Sequence, residues 1–313
     1  MTELVELETF VATARLGSFA AAAQQLGVSA TMVGRRIQML EARYGGRLLE
    51  RTTRVHKLTV FGTQFLEQSL RILEELAVLD ELASPAKALQ GILRISAPTT
   101  LGVATIGPAI AEFAKAHPAL SVELSLSNRR VDLVSEGYDL AIRVGDLPSS
   151  ALVSRRIGTC RLTCCAAPSW LATHHAPATP LDLANGGCII NSNFNPADVW
   201  RFMDAGGNAI VAKVAGNLQM DSDEAQRSVA KQGGGIAYLP LDLVRTDIAD
   251  GSLVQLLKDF GTDSMPIHAL YPSRRQLPKR VSGAIEAITT SLRAGEPAMY
   301  GMSASSDTSR HFE

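Results

Sequence analysis

Seven basic side chains lie within one short stretch of the sequence, between Ser29 and Gly62. They are Arg35, Arg36, Arg43, Arg47, Arg51, Arg54 and Lys57. The same stretch holds only two acidic residues, Glu41 and Glu50, so its net charge is +5, while the whole chain of 313 residues carries −1. Cations clustered in this way neutralise phosphate, which is the chemistry of contact with a nucleic-acid backbone. The alternative is an ordinary solvated face.

The elements that would position these cations are short helices. Ser18 is the predicted N-cap of a helix over 19–26, and Gly27 is predicted to end that helix in the left-handed conformation. Ser29 is the predicted N-cap of the next helix, over 30–44. Two short helices joined by a tight turn are typical of a helix-turn-helix, whose second helix enters a DNA groove.

A β-wing is predicted after the second of these helices, with strands over 48–51 and 55–58 around a turn at 52–54. The first turns of a recognition helix reach base edges, which here predicts contacts from Ser29, Thr31, Met32, Arg35 and Arg36. On the wing, contact with the DNA backbone or minor groove is expected from Arg51, Arg54 and Lys57.

A long helix is predicted from Thr59, its N-cap, to about Leu82. Its leucines recur at steps of three and four: Leu66, Leu70, Leu73, Leu76 and Leu79. We interpret residues 63–91 as a linker, with a dimerisation helix followed by a hinge that begins at Ser84-Pro85. The alternative is that the leucines pack on their own winged domain, residues 1–62.

Strand-like and helical runs alternate over 92–294, which is typical of an α/β fold with a parallel sheet. Polar residues follow several predicted strands, where ligands bind in such folds. Candidate ligand contacts at these positions are Thr99, Thr100, Ser127, Arg129, Asn193 and Phe194. Serine and threonine at helix starts are also ordinary N-caps, so both interpretations stay open. Asp139 and Arg143 are expected to form structural ion pairs, and residues 295–313 a disordered tail.

Residues 4–62 resemble the DNA-binding domain of LysR-type transcriptional regulators almost from end to end. The matching segments include Leu7-Glu8-Thr9-Phe10-Val11, Ala22-Ala23-Gln24-Gln25-Leu26-Gly27-Val28-Ser29 and Glu50-Arg51-Thr52-Thr53-Arg54. One position departs from the family, which usually has serine, a contact to the DNA backbone, where this chain has Gly34. The resemblance implies sequence-specific binding to double-stranded DNA.

Residues 92–294 resemble the regulatory domain of the same family in segments such as Tyr138-Asp139-Leu140-Ala141-Ile142-Arg143-Val144-Gly145. This implies a two-lobed fold of the periplasmic-binding-protein type, with a small effector in the cleft at the positions of Thr99 and Ser127. We expect lobe I over 92–165 and 267–294 and lobe II over 166–266. The chain would cross between lobes near Cys164 to Ala167 and Ser264 to His268.

The effector is expected to be a small anion, because two of the polar loops lead into helix N-termini and Arg129 lies nearby. The family also implies a homodimer or homotetramer, with RNA polymerase open as a further partner. A two-lobed solute-binding protein is the alternative function. The start Met1-Thr2-Glu3-Leu4 does not resemble an export signal, and the basic winged region does not fit a transport protein, so a cytoplasmic regulator is expected.

Catalysis is not expected, because the sequence contains no Walker loop, G-x-G-x-x-G, G-x-S-x-G or metal triad. His174 and His175 are interpreted as loop residues. The cysteines Cys160, Cys164, Cys165 and Cys188 have no C-x-x-C spacing, so we expect buried apolar side chains and neither a metal nor a cofactor.

Overall fold

The structure, a computed structural model, describes residues 2–51, 56–83, 89–147, 152–262, 264–272 and 277–295. A helical N-terminal region with a small hairpin is followed by a long helix and a larger α/β region. Within the described residues, no helix is both long and apolar enough to cross a membrane. The predicted wing turn at 52–54, most of the predicted hinge, and the tail beyond 295 fall outside the described ranges.

The N-terminal region opens with the helices α1 (Thr2–Leu16), α2 (Phe19–Leu26) and α3 (Ala30–Tyr44). The predicted caps are confirmed: the Ser18 hydroxyl accepts a hydrogen bond from the Ala21 N–H at 3.5 Å, and Gly27 has a φ of 64°. Glycine is favoured there because a side chain would strain a left-handed backbone. The three helices bury a common apolar core that includes Phe10, Ile37 and Leu40.

The predicted wing is confirmed as two antiparallel strands, β1 (Leu49–Arg51) and β2 (His56–Leu58). Helix α4 (Val60–Ala83) follows at once, with the Thr59 hydroxyl accepting a hydrogen bond from the Gly62 N–H at 2.8 Å.

Helix α4 carries two apolar stripes, where the sequence predicted one. Leu66, Leu70 and Leu73 pack into the core of the winged region, so this part of the stripe is covered by its own domain. For these three leucines the alternative interpretation holds, since α1 packs alongside α4. Ile72 and Leu79 lie on another face and are 48% and 59% exposed. An unpartnered stripe therefore exists, but it runs through Ile72, Leu76 and Leu79.

The first lobe of the α/β region begins with β3 (Gly91–Ala97), and two later strands, β4 (Leu120–Leu126) and β5 (Leu140–Val144), pair with it in parallel. A π-helical turn over Gly102–Ile106 joins its first two helices. In chain order the other elements of this lobe are α5 (Thr99–Leu101), α6 (Gly107–Ala116), β4 (Leu120–Leu126), α7 (Leu133–Glu136), β5 (Leu140–Val144) and the first part of β6 (Leu152–Ala166).

The second lobe is assembled from shorter elements, several of which the sequence did not predict. They are α8 (Pro168–Leu171), a 3-10 helix (Pro180–Asn185), β7 (Ile189–Asn191), β8 (Val199–Met203), β9 (Ala209–Lys213), β10 (Leu218–Met220), α9 (Asp223–Lys231), β11 (Ala237–Pro240), α10 (Leu241–Ala249), β12 (Val254–Leu256) and β13 (Gly261–Thr262). The chain then returns through β14 (Ser264–Pro272) to α11 (Lys279–Gly295), which packs on the first lobe.

The sheet of the first lobe is mixed and not wholly parallel. Its strands run in the order β6-β14-β5-β3-β4, and β14 is antiparallel to both β5 and β6. The parallel pattern predicted from the sequence holds for β3, β4 and β5. Strands β6 and β14 depart from the parallel pattern because they are the two segments that pass between the lobes.

The change of lobe on β6 occurs before the predicted segment Cys164 to Ala167. Ile157 packs in the core of the first lobe, Leu162 packs in the core of the second, and Cys160 between them touches both. Met265 on β14 is the register partner of Cys160. The return crossing lies within the predicted segment Ser264 to His268. The first crossing lies near Cys160, a few residues before the predicted segment Cys164 to Ala167.

Candidate functional site

One face of α3 is free for contact with another molecule. Val33, Ile37 and Leu40 are buried in the winged core. Thr31, Met32 and Arg35 point the other way and are exposed. The Ser29 hydroxyl accepts a hydrogen bond from the Met32 N–H at 3.2 Å, which places this residue at the N-terminus as predicted. A polar, partly cationic helix face of this kind matches the major groove of DNA.

Two of the predicted cations are turned toward α1. Nη1 of Arg36 donates a hydrogen bond to Oγ1 of Thr9 at 3.1 Å, so this side chain lies against α1 and not on the outer face beside Arg35. Nη1 of Arg43 lies 2.9 Å from the buried carboxylate of Glu6 and 3.4 Å from Glu3. The sequence could not distinguish these two arginines from Arg35, because their partners lie on another helix.

The wing begins at a fixed point. The Glu41 carboxylate accepts a hydrogen bond from the Leu48 N–H at 2.8 Å, which holds the start of the hairpin against α3. Lys57 on β2 and Arg47 before β1 are exposed. The side chain of Arg51 and all of Arg54 lie outside the described residues. Lys57 thus lies at the predicted position, and Arg47 adds a cation that we did not assign to a DNA contact.

Gly34, the departure from the family pattern, faces α2. A Cβ built at this position would lie 3.4 Å from a ring carbon of Phe19, which is an ordinary van der Waals contact. The helix therefore has room for a small side chain, and glycine is not required by packing.

A cavity of about 720 Å³ lies between the two lobes. Its walls include Thr100 and Arg143 from the first lobe and Asn191 and Asp223 from the second, with Cys160 at the crossing strand. Small-molecule sites typically have about 300–1,000 Å³, so the volume suits a ligand of metabolite size.

Three of the six predicted effector contacts line this cavity, namely Thr100, Asn193 and Phe194. Thr99 is not among its walls; its backbone N–H donates a hydrogen bond to Oδ1 of Asn128 at 3.2 Å. Thr100 is buried, and its hydroxyl donates to Oδ2 of Asp223 at 3.2 Å.

The predictions for Ser127 and Arg129 do not fit the geometry. The Ser127 hydroxyl accepts a hydrogen bond from the Arg129 N–H at 3.1 Å, which makes it a local turn residue. The exposed Arg129 guanidinium donates to Glu136 at 3.0 and 2.5 Å. Neither side chain lines the cavity, although their neighbours Asn128 and Arg130 do.

Arg143 lines the cavity and forms no ion pair with any described residue. Its guanidinium donates to Oγ of Ser96 at 2.8 Å and to the carbonyls of Ile142 and Arg129 at 2.7 and 3.1 Å. Burial lowers its pKa. The structural role predicted for Asp139 does agree with the geometry, since its carboxylate accepts a bond from the Arg94 N–H at 2.9 Å and lies 3.6 Å from Arg280.

Asp223 is the main cavity residue that sequence reasoning missed. It occupies the first position of α9, after the N-cap Ser222. An acidic residue at this position usually acts only by a favourable interaction with the helix dipole. Its carboxylate also accepts a hydrogen bond from Nδ2 of Asn191 at 2.9 Å. Burial raises the pKa of this carboxyl.

Among the described side chains, two hydrogen bonds cross between the lobes. One joins Thr100 to Asp223, and the other runs from Nδ2 of Asn128 to the carbonyl of Asp221 at 3.2 Å. Each connects a loop that follows a first-lobe strand to the segment that begins α9. These bonds hold the lobes in the arrangement seen here, and a ligand that changes them would change the angle between the lobes.

The cysteines are free thiols, with Cys164, Cys165 and Cys188 buried and Cys160 partly buried. Burial raises the pKa of Cys160, Cys165 and Cys188 to about 12. Thiols with such pKa values are poor nucleophiles near neutral pH, in agreement with their interpretation as apolar packing residues.

Comparison with known proteins matches both regions of the chain to protein-family models. Residues 4–63 match the model described as "Bacterial regulatory helix-turn-helix protein, lysR family". Residues 86–293 match the model described as "LysR substrate binding domain".

Full-length relatives show the same two-part organisation. The chain is 35% identical over 285 residues to the HTH-type transcriptional regulator DmlR of Escherichia coli, covering 90% of this chain and 92% of that one. The structure of CrgA, a LysR-type transcriptional regulator from Neisseria meningitidis, is 30% identical with a TM-score of 0.57 and covers 93% and 99% of the two chains. The full-length virulence activator AphB of Vibrio cholerae is 29% identical with a TM-score of 0.58, covering 92% and 98%.

Proposed function

This chain belongs to the LysR family of transcriptional regulators, with a helix-turn-helix DNA-binding domain and an effector-binding domain, and we propose that a small anionic effector in the cavity between the lobes controls its binding to an operator. The relatives are transcriptional regulators, so the chain is not an enzyme, and the winged domain does not fit a transport protein.

The observation that carries the DNA-binding part of the proposal is the division of α3 into two faces. Its apolar face is buried in the winged core, and its opposite face presents Thr31, Met32 and Arg35 to the surroundings. Arg35 would contact a base edge, and Lys57 and Arg47 would contact phosphate. Arg36 and Arg43 would hold α3 against α1 and thereby set its angle in the groove. Arg51 and Arg54 stay proposed backbone contacts.

The effector part rests on the cavity and the two bonds that cross it. A ligand closes the lobes only if it binds the closed arrangement better than the open one. Thr100, Asn193 and Phe194 would contact the effector, while Ser127 and Thr99 would support the loops around it. Arg143 replaces Arg129 as the expected partner of an anionic group.

The effector cavity can be coupled to the winged domain through direct contacts within one chain. Helix α7 lies beside the cavity through Leu133 and contacts α4. A Cβ built on Gly137, at the end of α7, would lie 2.4 Å from Nε of Arg15 on α1, so the two domains touch closely there. Movement of the first lobe would therefore displace the helices of the DNA-binding domain.

Assembly is proposed through the exposed stripe of α4. Ile72 and Leu79 offer an apolar face that a second copy of α4 would cover, which gives a homodimer whose paired winged domains fit a site with dyad symmetry. The family supports association to a homotetramer. A cytoplasmic location and contact with RNA polymerase belong to the proposal through the family alone.

The test is duplex binding by the full chain, measured by fluorescence anisotropy with its own upstream intergenic DNA and with a random duplex of equal length. We expect tighter binding to the upstream duplex and an affinity that falls with salt on both. Equal affinity for the two duplexes at every salt concentration would contradict sequence-specific regulation at that site.

A further inference from the structure

Two half-buried charges of opposite sign line the cavity between the lobes, and neither has a charged hydrogen-bond partner in the part of the chain that the structure describes. Arg143 donates to a hydroxyl and two carbonyls, and Asp223 accepts from a hydroxyl and an amide. Burial lowers the pKa of Arg143 and raises that of Asp223, since it disfavours both charged forms. Charges removed from water without a counter-ion are costly, so each would gain from a ligand of opposite charge.

The carboxylate of Glu136, which lies near Arg143, already has other hydrogen-bond partners. The Glu136 carboxylate accepts two hydrogen bonds from Arg129 and one from the Asp132 N–H at 3.0 Å. Arg143 therefore keeps donor capacity for an outside acid: a guanidinium has five N–H groups, and Arg143 uses three bonds here.

The other charged residues of the cavity wall lie at its rim. Arg130, Asp146 and Asp242 are exposed to solvent, and Asp242 is paired with Arg245 at 2.5 Å. Solvent screens charges in such positions. The interior of the cavity thus offers one cation and one anion, on different lobes.

The wall contains amides and hydroxyls, but much of its surface is hydrocarbon. It includes Leu101, Leu133, Leu152, Met265 and Leu270. A ligand that fills it needs an apolar body, because burying polar groups against these side chains without hydrogen bonds is unfavourable.

We infer that the effector is a bifunctional acid: a carboxylate that binds Arg143, an apolar body, and at its other end an amino or hydroxyl group that donates to Asp223. This inference rests on the proposed function, in which this cavity holds the effector. By contacting a charge on each lobe, such a ligand would favour the closed arrangement, and an acid without the donor would lack the contact to Asp223.

The experiment is calorimetric titration of the full chain with straight-chain acids of increasing length, each ending in a methyl, hydroxyl or amino group, together with the amines that lack the acid. At the length that fits best, we expect the amino acid to bind at least about tenfold more tightly than the methyl analogue and the plain amine, with the hydroxy acid between. This tenfold step corresponds to about 1.4 kcal/mol.

Substitutions at Asp223 and Arg143 test the two ends of the ligand separately. Asp223→Asn should abolish the preference for the amino end, whereas the methyl acids, which do not contact this carboxyl, should lose much less affinity. Arg143→Gln should remove binding of the acids, and Arg143→Lys, which keeps the charge, should restore part of it. Asp259→Asn and Arg155→Gln change exposed charges outside the cavity wall and serve as controls, with thermal unfolding to confirm folding.

The inference is overturned if methyl acids bind as tightly as the amino and hydroxy acids at every length, if Asp223→Asn weakens all ligands equally, or if no member of the series binds. Operator binding is measured in parallel. If one of these outcomes occurs while the wild type still binds its operator, only the effector assignment is contradicted. If the wild type shows no sequence-specific DNA binding, the proposed function is contradicted.

Discussion

The hydroxyl of Thr100 donates a hydrogen bond of 3.2 Å to the carboxylate of Asp223, and this bond crosses from the first lobe to the second. Both residues line the cavity, and Thr100 is only 8% exposed. A buried donor paired with a carboxylate on another lobe links ligand binding to the angle between the lobes. A contact of this kind can be weakened without changing the shape of either lobe.

Thr100→Val should lower the free energy of unfolding of the chain by about 1–3 kcal/mol, because Asp223 loses a donor in a half-buried position. It should also raise the effector concentration needed for a response. Denaturant unfolding and effector titration measure the two effects. Thr99→Val is the matched control, since the Thr99 side chain is not part of the cavity wall. Wild-type stability of Thr100→Val would show that the bond contributes nothing in solution.

Arg35 and Arg36 should behave differently on substitution, although they are neighbours. Arg35→Ala should weaken specific operator binding by about 1–3 kcal/mol and relax base preference, because the side chain is free to contact a base. Arg36→Ala should mainly reduce the stability of the winged domain, since it removes the bond to Thr9. Anisotropy on specific and random duplexes, together with thermal unfolding, measures both. The same loss of base preference in the two variants would refute this distinction.

Ile72→Asp combined with Leu79→Asp should give monomers that no longer bind the operator, because a single winged domain covers only half of a dyad site. Sedimentation velocity gives the mass in solution. Gln64→Asp places a charge on an exposed position of α4 outside the stripe and is expected to sediment as the wild type. Leu73→Asp is unsuitable, since that side chain packs against the winged core. A double variant that still dimerises would place the interface elsewhere.

Gly34→Ala should raise the free energy of unfolding of the winged domain by about 1 kcal/mol, because glycine in a helix interior costs about that much relative to alanine. The new Cβ has ordinary contact with Phe19. Gly27→Ala is the control of opposite sign, since Gly27 has a φ of 64° and a side chain there is strained. Urea unfolding compares them. A loss of stability in Gly34→Ala would mean that the packing of α2 on α3 requires the glycine.

Native Cys160 should react slowly with iodoacetamide. Burial raises its pKa from 9.0 to about 12, so below both values the thiolate fraction falls by about a thousandfold. The rate should rise with pH up to that pKa and should reach the rate of an ordinary thiol when the chain is unfolded. Mass spectrometry of alkylated native and unfolded chain measures this. Native labelling as fast as unfolded labelling would show that the crossing strand is open to solvent.

Elements whose signals are local could be predicted from the amino-acid sequence. Ser18, Gly27 and Ser29 set the ends of α2 and α3 through bonds that span only a few residues, and the apolar periodicity placed Val33 and Ile37 in the core. The order of motifs along residues 4–62 was sufficient for the family. Five short strands of the second lobe, β8, β9, β10, β12 and β13, were missed because each carries too few residues for a period.

Which polar side chains act together was decided by the tertiary structure alone. Arg36 looked equivalent to Arg35 until α1 placed Thr9 beside it. Arg143 and Asp223 are far apart in the sequence, and only the fold of the two lobes brings them to one cavity. Ser127 and Arg129, in contrast, find partners within their own loop. Local rules predict where a helix begins, but the charge that a buried group faces depends on which distant segments pack around it.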